Sequence, residues 1–399
     1  MSDDFFFNPF DEATRRDPFA LYARGRALRT YRHPGLPVVS IFRHADVIDV
    51  LRDSSTFSNV FPPPPGLTPE DMLPQNMLGT DPPEHERLRG LVNQAFTPKI
   101  IRRLEPRMEE IAESLLDAAL EERSVDLVQA LTYPLPVTVI AEIIGVPSED
   151  GPRFKHWSDE LVASLGAGLL GAPPPEQLAK TRAVVDELGT YFEGLVEVRR
   201  KEPKEDLLSG LVAAELEGTH LSFDELVQML ILLLVAGNET TTTLIGNVAL
   251  TLLEHPGELA AVRADPTRIP SAIEEVLRFS SPVQIDPRCA TADTELCGES
   301  VKKGEVVISW LGAANRDEAV FKEPERFDTA RRENRHLAFG FGTHYCLGSN
   351  LARLEAQIAL RVLLRRTRAI RLATSEPLPL HRSFVFRSFT KIPLELEPA

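Results

Sequence analysis

The sequence predicts a mainly α-helical protein with a small β-rich lobe, and two observations carry that expectation. Segments with apolar residues at helical spacing fill the middle of the chain, several of them opening on proline, which suits a first helical turn. Short β-type runs gather instead near the N-terminus and in the last third. No Gly/Ser linker or low-complexity run divides the 399 residues, so 1–399 is expected to form a single catalytic domain.

From the N-terminus, a helix at Pro18–Arg29, a β-type run at Pro37–Phe42 and a helix at His44–Asp53 precede Pro62-Pro63-Pro64-Pro65-Gly66. Consecutive prolines forbid helix and sheet ladder alike, so Ser54–Met77 reads as a long irregular loop of the kind that serves as a mobile lid. Helical periodicity then runs through Pro83–Phe96, Pro98–Glu122, Pro134–Ile144, Glu149–Leu165 and Glu176–Arg200, with Gly/Pro-rich Gly166–Pro175 as a second expected lid. Ser222 and Glu225 form an S-x-x-E capping box, after which the pattern stays helical to His255-Pro256. About 33 residues at 1.5 Å rise make a rod of about 50 Å. Helices at Gly257–Ala264 and Ile269–Phe279 lead into β-type pieces at Val283–Ile285, Cys289–Ala290, Thr294–Leu296 and Val306–Trp310. A helix over Ser349–Arg366 and strand-like runs at Ser383–Phe386 and Ile392–Leu396 close the chain.

Composition excludes several classes. A hydrophobic content of 43% supports a substantial core, and three cysteines without paired spacing argue for a reducing compartment, hence the cytoplasm. The acidic, briefly aromatic start Met1–Pro9 lacks the basic and apolar regions of a signal peptide. Met229–Ala236, the most apolar run, falls short of the roughly 20 residues of a spanning helix, so no membrane association is expected. A net charge of −15 opposes nucleic acid as a partner. Basic residues still cluster at Arg102, Arg103 and Arg107 and at Arg361, Arg365, Arg366 and Arg368, either as solvated helix faces or as a docking site for an acidic protein.

Phe339-Gly340-Phe341-Gly342-Thr343-His344-Tyr345-Cys346-Leu347-Gly348 sets one cysteine among glycines at the start of a helix. Free amide N–H groups and the positive dipole end there favour the thiolate, the metal-binding form. Gly340, Gly342 and Gly348 would let the backbone take unusual torsions and lie against a flat ring. A buried structural thiol also describes such a cysteine. Zinc is opposed, because Cys289 and Cys297 lack CxxC spacing and lie far upstream. On the long helix, Ala236-Gly237-Asn238-Glu239-Thr240-Thr241 turns polar directly after an apolar run, placing an acid beside a hydroxyl. Glu275 and Arg278 are spaced i, i+3, ordinarily a weak surface pair.

The cysteine decamer resembles the haem-binding loop of the haem-thiolate monooxygenases, the cytochromes P450, at Phe339, Gly340, Gly342, His344, Cys346 and Gly348. Ala236, Gly237, Glu239 and Thr240 match the family's oxygen-activation motif, and Glu275 with Arg278 its E-x-x-R pair. Asn315-Arg316-Asp317 and Phe321, Pro324, Phe327 and Asp328 are similar to the segment upstream of its haem loop. The resemblance spans Leu78 to the C-terminus. It implies the cytochrome P450 fold, with haem b (iron protoporphyrin IX) between the long helix and the cysteine helix and Cys346 as axial ligand. Glu239 would relay protons, and Thr240 would hydrogen-bond dioxygen so that its distal atom leaves as water. Ala236 and Gly237 would leave room above the ring. His85, Arg89, Arg288 and His344 fall where the family clamps its propionates, and Glu275 and Arg278 would hold the cysteine loop. Positions lining the family's pocket correspond to Val235, Val283, Ile285, Phe384 and Val385, whose apolar character suits a lipophilic substrate. The implied activity is a soluble, bacterial-type monooxygenase using O2, with separate ferredoxin and ferredoxin reductase, since no flavin or iron–sulfur motif is present. A hydrogen peroxide-driven peroxygenase is opposed by the acid–alcohol pair, and a haem sensor or carrier would be expected to carry an output domain.

Overall fold

Ser222 and Glu225 trade hydrogen bonds at the start of the longest helix. The Glu225 amide donates to Ser222 Oγ at 3.2 Å and the Ser222 amide to Glu225 Oε2 at 2.7 Å. The expected capping box therefore forms, and it opens a helix that ends at Glu254, before Pro256 begins the next. The structure is a computed structural model that describes residues 5–63, 67–68, 75–122, 124–164, 174–214 and 218–399.

Along the chain the helices are α1 Glu12–Arg16, α2 Phe19–Leu28, α3 His44–Arg52, α4 Glu84–Ala95, α5 Pro98–Arg103, α6 Glu105–Glu122, α7 Pro134–Ile144, α8 Gly151–Ser164, α9 Pro175–Lys201, α10 Leu207–Ala213, α11 Phe223–Glu254, α12 Pro256–Ala264, α13 Ile269–Phe279, α14 Leu311–Ala314 and α15 Ser349–Arg366. The strands are β1 Thr30–Arg32, β2 Val38–Ile41, β3 Phe57–Ser58, β4 Ser124–Asp126, β5 Ile285–Ala290, β6 Thr294–Leu296, β7 Glu299–Val301, β8 Val306–Trp310, β9 Thr367–Leu372 and β10 Pro393–Pro398. The mainly α architecture with small sheets is thus as expected.

Local chemistry accounts for the departures. The single helix expected over Pro98–Glu122 is two, because Pro106 has no N–H to continue a preceding turn and sits instead in the first turn of α6. Ser383–Phe386 forms one bridge, Phe386 to Val283, and no strand. Within the loop expected over Ser54–Met77, Phe57 and Ser58 pair with β5. Just past them the Asn59 amide donates to Asp81 Oδ1 at 3.0 Å, and its side chain to Leu78 O at 3.0 Å. In the second expected lid, residues 166–173 lie outside the described residues.

The chain forms two compact units. The first comprises Met1–Ser58, Pro106–Leu135 and Thr240–Ala399. Its five-stranded sheet has the order β1-β2-β8-β5-β3, with β2 and β8 parallel and the other neighbours antiparallel. Register sets Val39 opposite Val307, and both pack with Val47, Leu51, Leu311 and Leu337 in a solvent-free core. A second sheet places β10 between β4 and β9, and β6 pairs with β7 as a hairpin. The second unit, Asn59–Glu105 and Pro136–Glu239, is helical: α8 packs on α9 and α10 on α4. Phe154 meets Phe192 edge-on at 6.2 Å between α8 and α9.

Two readings of the surface change. By length and composition α11 is apolar enough to cross a bilayer, contrary to the estimate from Met229–Ala236 alone, but 72% of its most apolar window is buried within the protein, as befits a core helix. The arginines of α15 are not free cations either. Arg361 reaches Glu109 at 3.2 Å, Arg365 reaches Glu109 at 2.8 Å and also Glu113, and Arg366 pairs with Glu113 and Asp117. Arg107 lies 3.0 Å from Glu110. The expected basic docking face is neutralised there by acids of α6, which the one-dimensional charge pattern concealed.

Candidate functional site

The cysteine loop is built by two left-handed turns. Gly340 and Gly342 adopt φ of +71° and +72°, which side-chain-bearing residues rarely take. A Cβ on Gly342 would also stand 2.7 Å from the Leu51 carbonyl oxygen. The turns bring the Cys346 amide to the Phe339 carbonyl at 2.9 Å and deliver the half-buried thiol immediately before α15. His344 ends a short turn, Gly342–His344, within this loop. Gly348 differs from the expectation: its φ is −79°, an ordinary value, so torsion does not demand glycine there.

Helix α13 anchors the loop. Glu275 and Arg278 have no exposed side-chain surface and form a bidentate pair, both N···O distances being 2.8 Å. Arg278 donates its remaining N–H groups to the carbonyls of Asn315 at 3.1 Å, Pro324 at 2.8 Å and Arg326 at 3.1 Å, which satisfies the whole guanidinium. Glu275 also accepts from Arg331 Nε at 3.0 Å and from the Asp328 amide at 3.0 Å. Asn315 Oδ1 in turn accepts from the Leu337 amide at 2.6 Å, at the entrance to the cysteine loop.

Sequence reasoning missed the neighbouring clamp. Glu274 accepts from Arg353 Nε on α15 at 2.7 Å and lies 3.1 Å from His336 Nε2. Arg353 lies over the Phe339 ring, 4.4 Å from its centroid, and Tyr345 OH is 3.4 Å away. Burial alone would push the Glu274 carboxyl up, but hydrogen bonds from His336 and Arg353 outweigh it and hold the group down to about 2. The adjacency Glu274-Glu275 is the available sequence signal. Glu355, also on α15, was missed as well. Burial pushes its carboxyl up to about 8, so it is largely neutral at pH 7.

On α11 burial changes along the polar segment. Asn238 and Thr241–Thr243 are buried, with Asn238 Nδ2 donating to Ser158 Oγ at 2.6 Å. Val235, Gly237, Glu239 and Thr240 are half-buried and Ala236 is exposed, so the acid–alcohol pair is less buried than expected. The atoms nearest to a Cβ on Gly237 belong to Ile140, at an ordinary 3.5 Å, so backbone crowding does not require glycine.

The four expected carboxylate clamps fall on both units. His85 and Arg89 lie one turn apart on α4, and His85 is buried, with its pKa lowered by burial and by the Arg89 charge. Arg288 and His344 belong to the other unit. Asp286 and Arg288 alternate onto one face of β5, and Arg288 pairs with Asp286, a partner the sequence analysis did not name. Of the candidate pocket positions, Ile285 and Phe384 are buried and Val283 and Val385 half-buried. Phe384 meets Phe10 edge-on at 5.1 Å.

Among the described residues no group of three or more His, Cys, Asp or Glu side chains is placed to hold a bare metal ion. One thiol at a helix start suits a metal that brings its other ligands in a flat macrocycle. The space beside Gly348 is open, since a Cβ there would meet nothing within 4 Å. Arg288, already bound to a carboxylate, has the chemistry to receive a propionate. The Cytochrome P450 family model matches residues 25–394. The chain belongs to the cytochrome P450 family. A cytochrome P450 of Bacillus subtilis is 40% identical over 363 residues, 89% of this chain and 87% of that protein. The solved structure of CYP109Q5 from Chondromyces apiculatus superposes with a TM-score of 0.89 at 38% identity, covering 98% of both chains. That of CYP109E1 from Bacillus megaterium in complex with testosterone gives 0.86 at 36%, covering 95% of this chain and 99% of that one. This P450 therefore has the P450 fold and is a haem-thiolate monooxygenase.

Two outcomes follow for the anchor. Glu275→Gln leaves Arg278 as an uncompensated buried charge, so it should lower stability by about 3–5 kcal/mol and reduce haem retention, read by denaturant titration and the Soret absorbance. For Glu274 the folded pKa is depressed, so its stabilisation is present above the ordinary value of 4.5 and is lost as pH falls toward about 2. The stability gap between wild type and Glu274→Gln should accordingly be constant at neutral pH and close below pH 4.5, measured by thermal unfolding across pH.

Proposed function

We propose that this P450 is a single catalytic domain that works in the cytoplasm on a lipophilic small molecule. It inserts one atom of O2 by hydroxylation or epoxidation, with electrons from NAD(P)H through a separate ferredoxin reductase and ferredoxin. The observation that carries this reading is the acid–alcohol pair Glu239–Thr240 on α11, half-buried just before Thr241–Thr243, which are buried. Bound haem supplies the one-electron and dioxygen chemistry.

The chain's own residues do the rest. Cys346 would hold the haem iron as thiolate, a form favoured by its place just before the start of α15. His85, Arg89, Arg288 and His344 would hold the propionates, Arg288 now being paired with Asp286. Glu239, half-buried, would exchange protons with water, and the Thr240 hydroxyl, able both to donate and to accept, would pass a proton toward the oxygen substrate. Ala236 and Gly237 would keep bulk away from it. Val235, Val283, Ile285, Phe384 and Val385 offer apolar surface, which supports a lipophilic substrate, as does the testosterone held by the solved relative.

Carbon monoxide added to the reduced protein should give the strongly red-shifted Soret band of thiolate-ligated haem, and Cys346→Ala should abolish it. A spectrum like that of a histidine-ligated globin would overturn the ligand assignment. Thr240→Ala should keep haem and substrate-induced spin shifts while product formed per NAD(P)H falls on the order of tenfold in favour of hydrogen peroxide. Unchanged coupling would remove Thr240 from proton delivery.

A further inference from the structure

Arginines tie the N-terminal helix to the C-terminal segment. Arg387 Nη1 donates to the carbonyls of Arg15 at 3.2 Å and Arg16 at 2.8 Å. In the opposite direction Arg16 Nη1 donates to Leu378 O at 2.9 Å, and Arg15 donates to Arg382 O. Carbonyl oxygens satisfy guanidinium N–H groups but do not cancel their charge. Arg16 has Glu12 at 2.7 Å for that purpose, whereas no ion pair to Arg15 or Arg387 is found among the described residues. Each of these two arginines also keeps a buried Nε–H without a hydrogen-bond acceptor in the protein.

Arg15 and Arg387 line the same cavity of about 20 Å³, whose other walls include Phe7, Tyr22, Trp310 and Phe384. That volume exceeds the roughly 10–15 Å³ needed by one water-sized particle and excludes polyatomic anions or an organic ligand. The surroundings offer little counter-charge. Burial pushes the Tyr22 phenol far above its ordinary value, so it stays neutral, and its hydroxyl is spent on Gln284 Oε1 at 2.8 Å. Burial also lowers Arg387 despite the attraction of Glu254 and Asp17, while Arg16 adds a like charge. The rings of Phe19 and Phe389, 5.1 and 6.0 Å from the Arg387 guanidinium carbon, compensate only in part. Two half-buried charges of one sign, each with a buried and unspent Nε–H, call for an ion of the other sign.

We propose that this cavity is a binding site for one monatomic anion, chloride under ordinary conditions, held by the Nε–H groups of Arg15 and Arg387 between α1 and the C-terminal segment. The site is separate in chemistry from the haem-thiolate reaction. Its occupant stabilises residues 378–389 against α1.

Haem-loaded protein in chloride-free gluconate buffer, titrated with sodium chloride or bromide at constant ionic strength, should show a saturable rise in thermal midpoint of about 2–4 °C. Crystals grown in bromide should show an anomalous peak between Arg15 and Arg387. Arg15→Gln keeps the carbonyl ties made by Arg387 and should weaken the halide response at least tenfold, with the anomalous peak lost. A midpoint that follows ionic strength alone, no bromide peak in the wild type, or a full halide response in Arg15→Gln would each overturn the site. Should Arg15→Gln fail to fold, the bromide peak in the wild type decides.

Discussion

Two opposite charges with no exposed surface persist in a protein interior only when every remaining donor and lone pair is met. Glu275 and Arg278 meet that condition by recruiting backbone from Asn315, Pro324, Arg326 and Asp328, and the side chain of Arg331. The pair itself adds little net stability over an apolar equivalent, because desolvation cancels most of the attraction. Its effect is positional. None of the recruited segments can shift alone without stranding a buried donor, and the chain beyond them leads directly into the cysteine loop.

Adjacent residues on a helix point about 100° apart, so neighbouring carboxylates on α13 serve two directions. Glu275 faces the interior, and Glu274 faces His336 and Arg353 nearer the surface. Arg353 then covers Phe339, the first residue of the loop, from α15, the helix that follows it. The loop is thus fixed to α13 at its entrance through Asn315 and Leu337 and at its exit through Arg353, while Gly340 and Gly342 supply the turns between. A site whose chemistry depends on one thiolate position needs support of this kind from its surroundings.

What was legible in the sequence was local. The capping box, the limits of α13 and α15, and the left-handed glycines at 340 and 342 all depend on residues a few positions apart, where torsion and periodicity act directly. What was hidden depends on distance along the chain. Arg353 and Glu274 are 79 residues apart, and the acids of α6 that neutralise Arg361 and Arg365 are more distant still. The polar run on α11 stood out because it follows an apolar run, but the sequence did not show where along the helix burial becomes complete, so Glu239 and Thr240 came out half-buried and Thr241–Thr243 buried. The role expected of Gly348 in backbone torsion was wrong because a glycine with an ordinary φ and one with a positive φ look alike in one dimension.

The reciprocal arginine–carbonyl ties give the first residues of the chain a part in a wall formed by its last. The Arg387 amide donates to Pro282 O at 2.9 Å, and the Gln284 amide to Val385 O at 2.8 Å, so the strip carrying Phe384 and Val385 is laced to the strip carrying Val283 and Ile285. Helix α1 holds that lacing from outside, as a strut does. Removing residues 12–16 would withdraw two carbonyls from Arg387 and loosen both strips together, changing the shape offered to a substrate without altering any residue of the haem-binding loop.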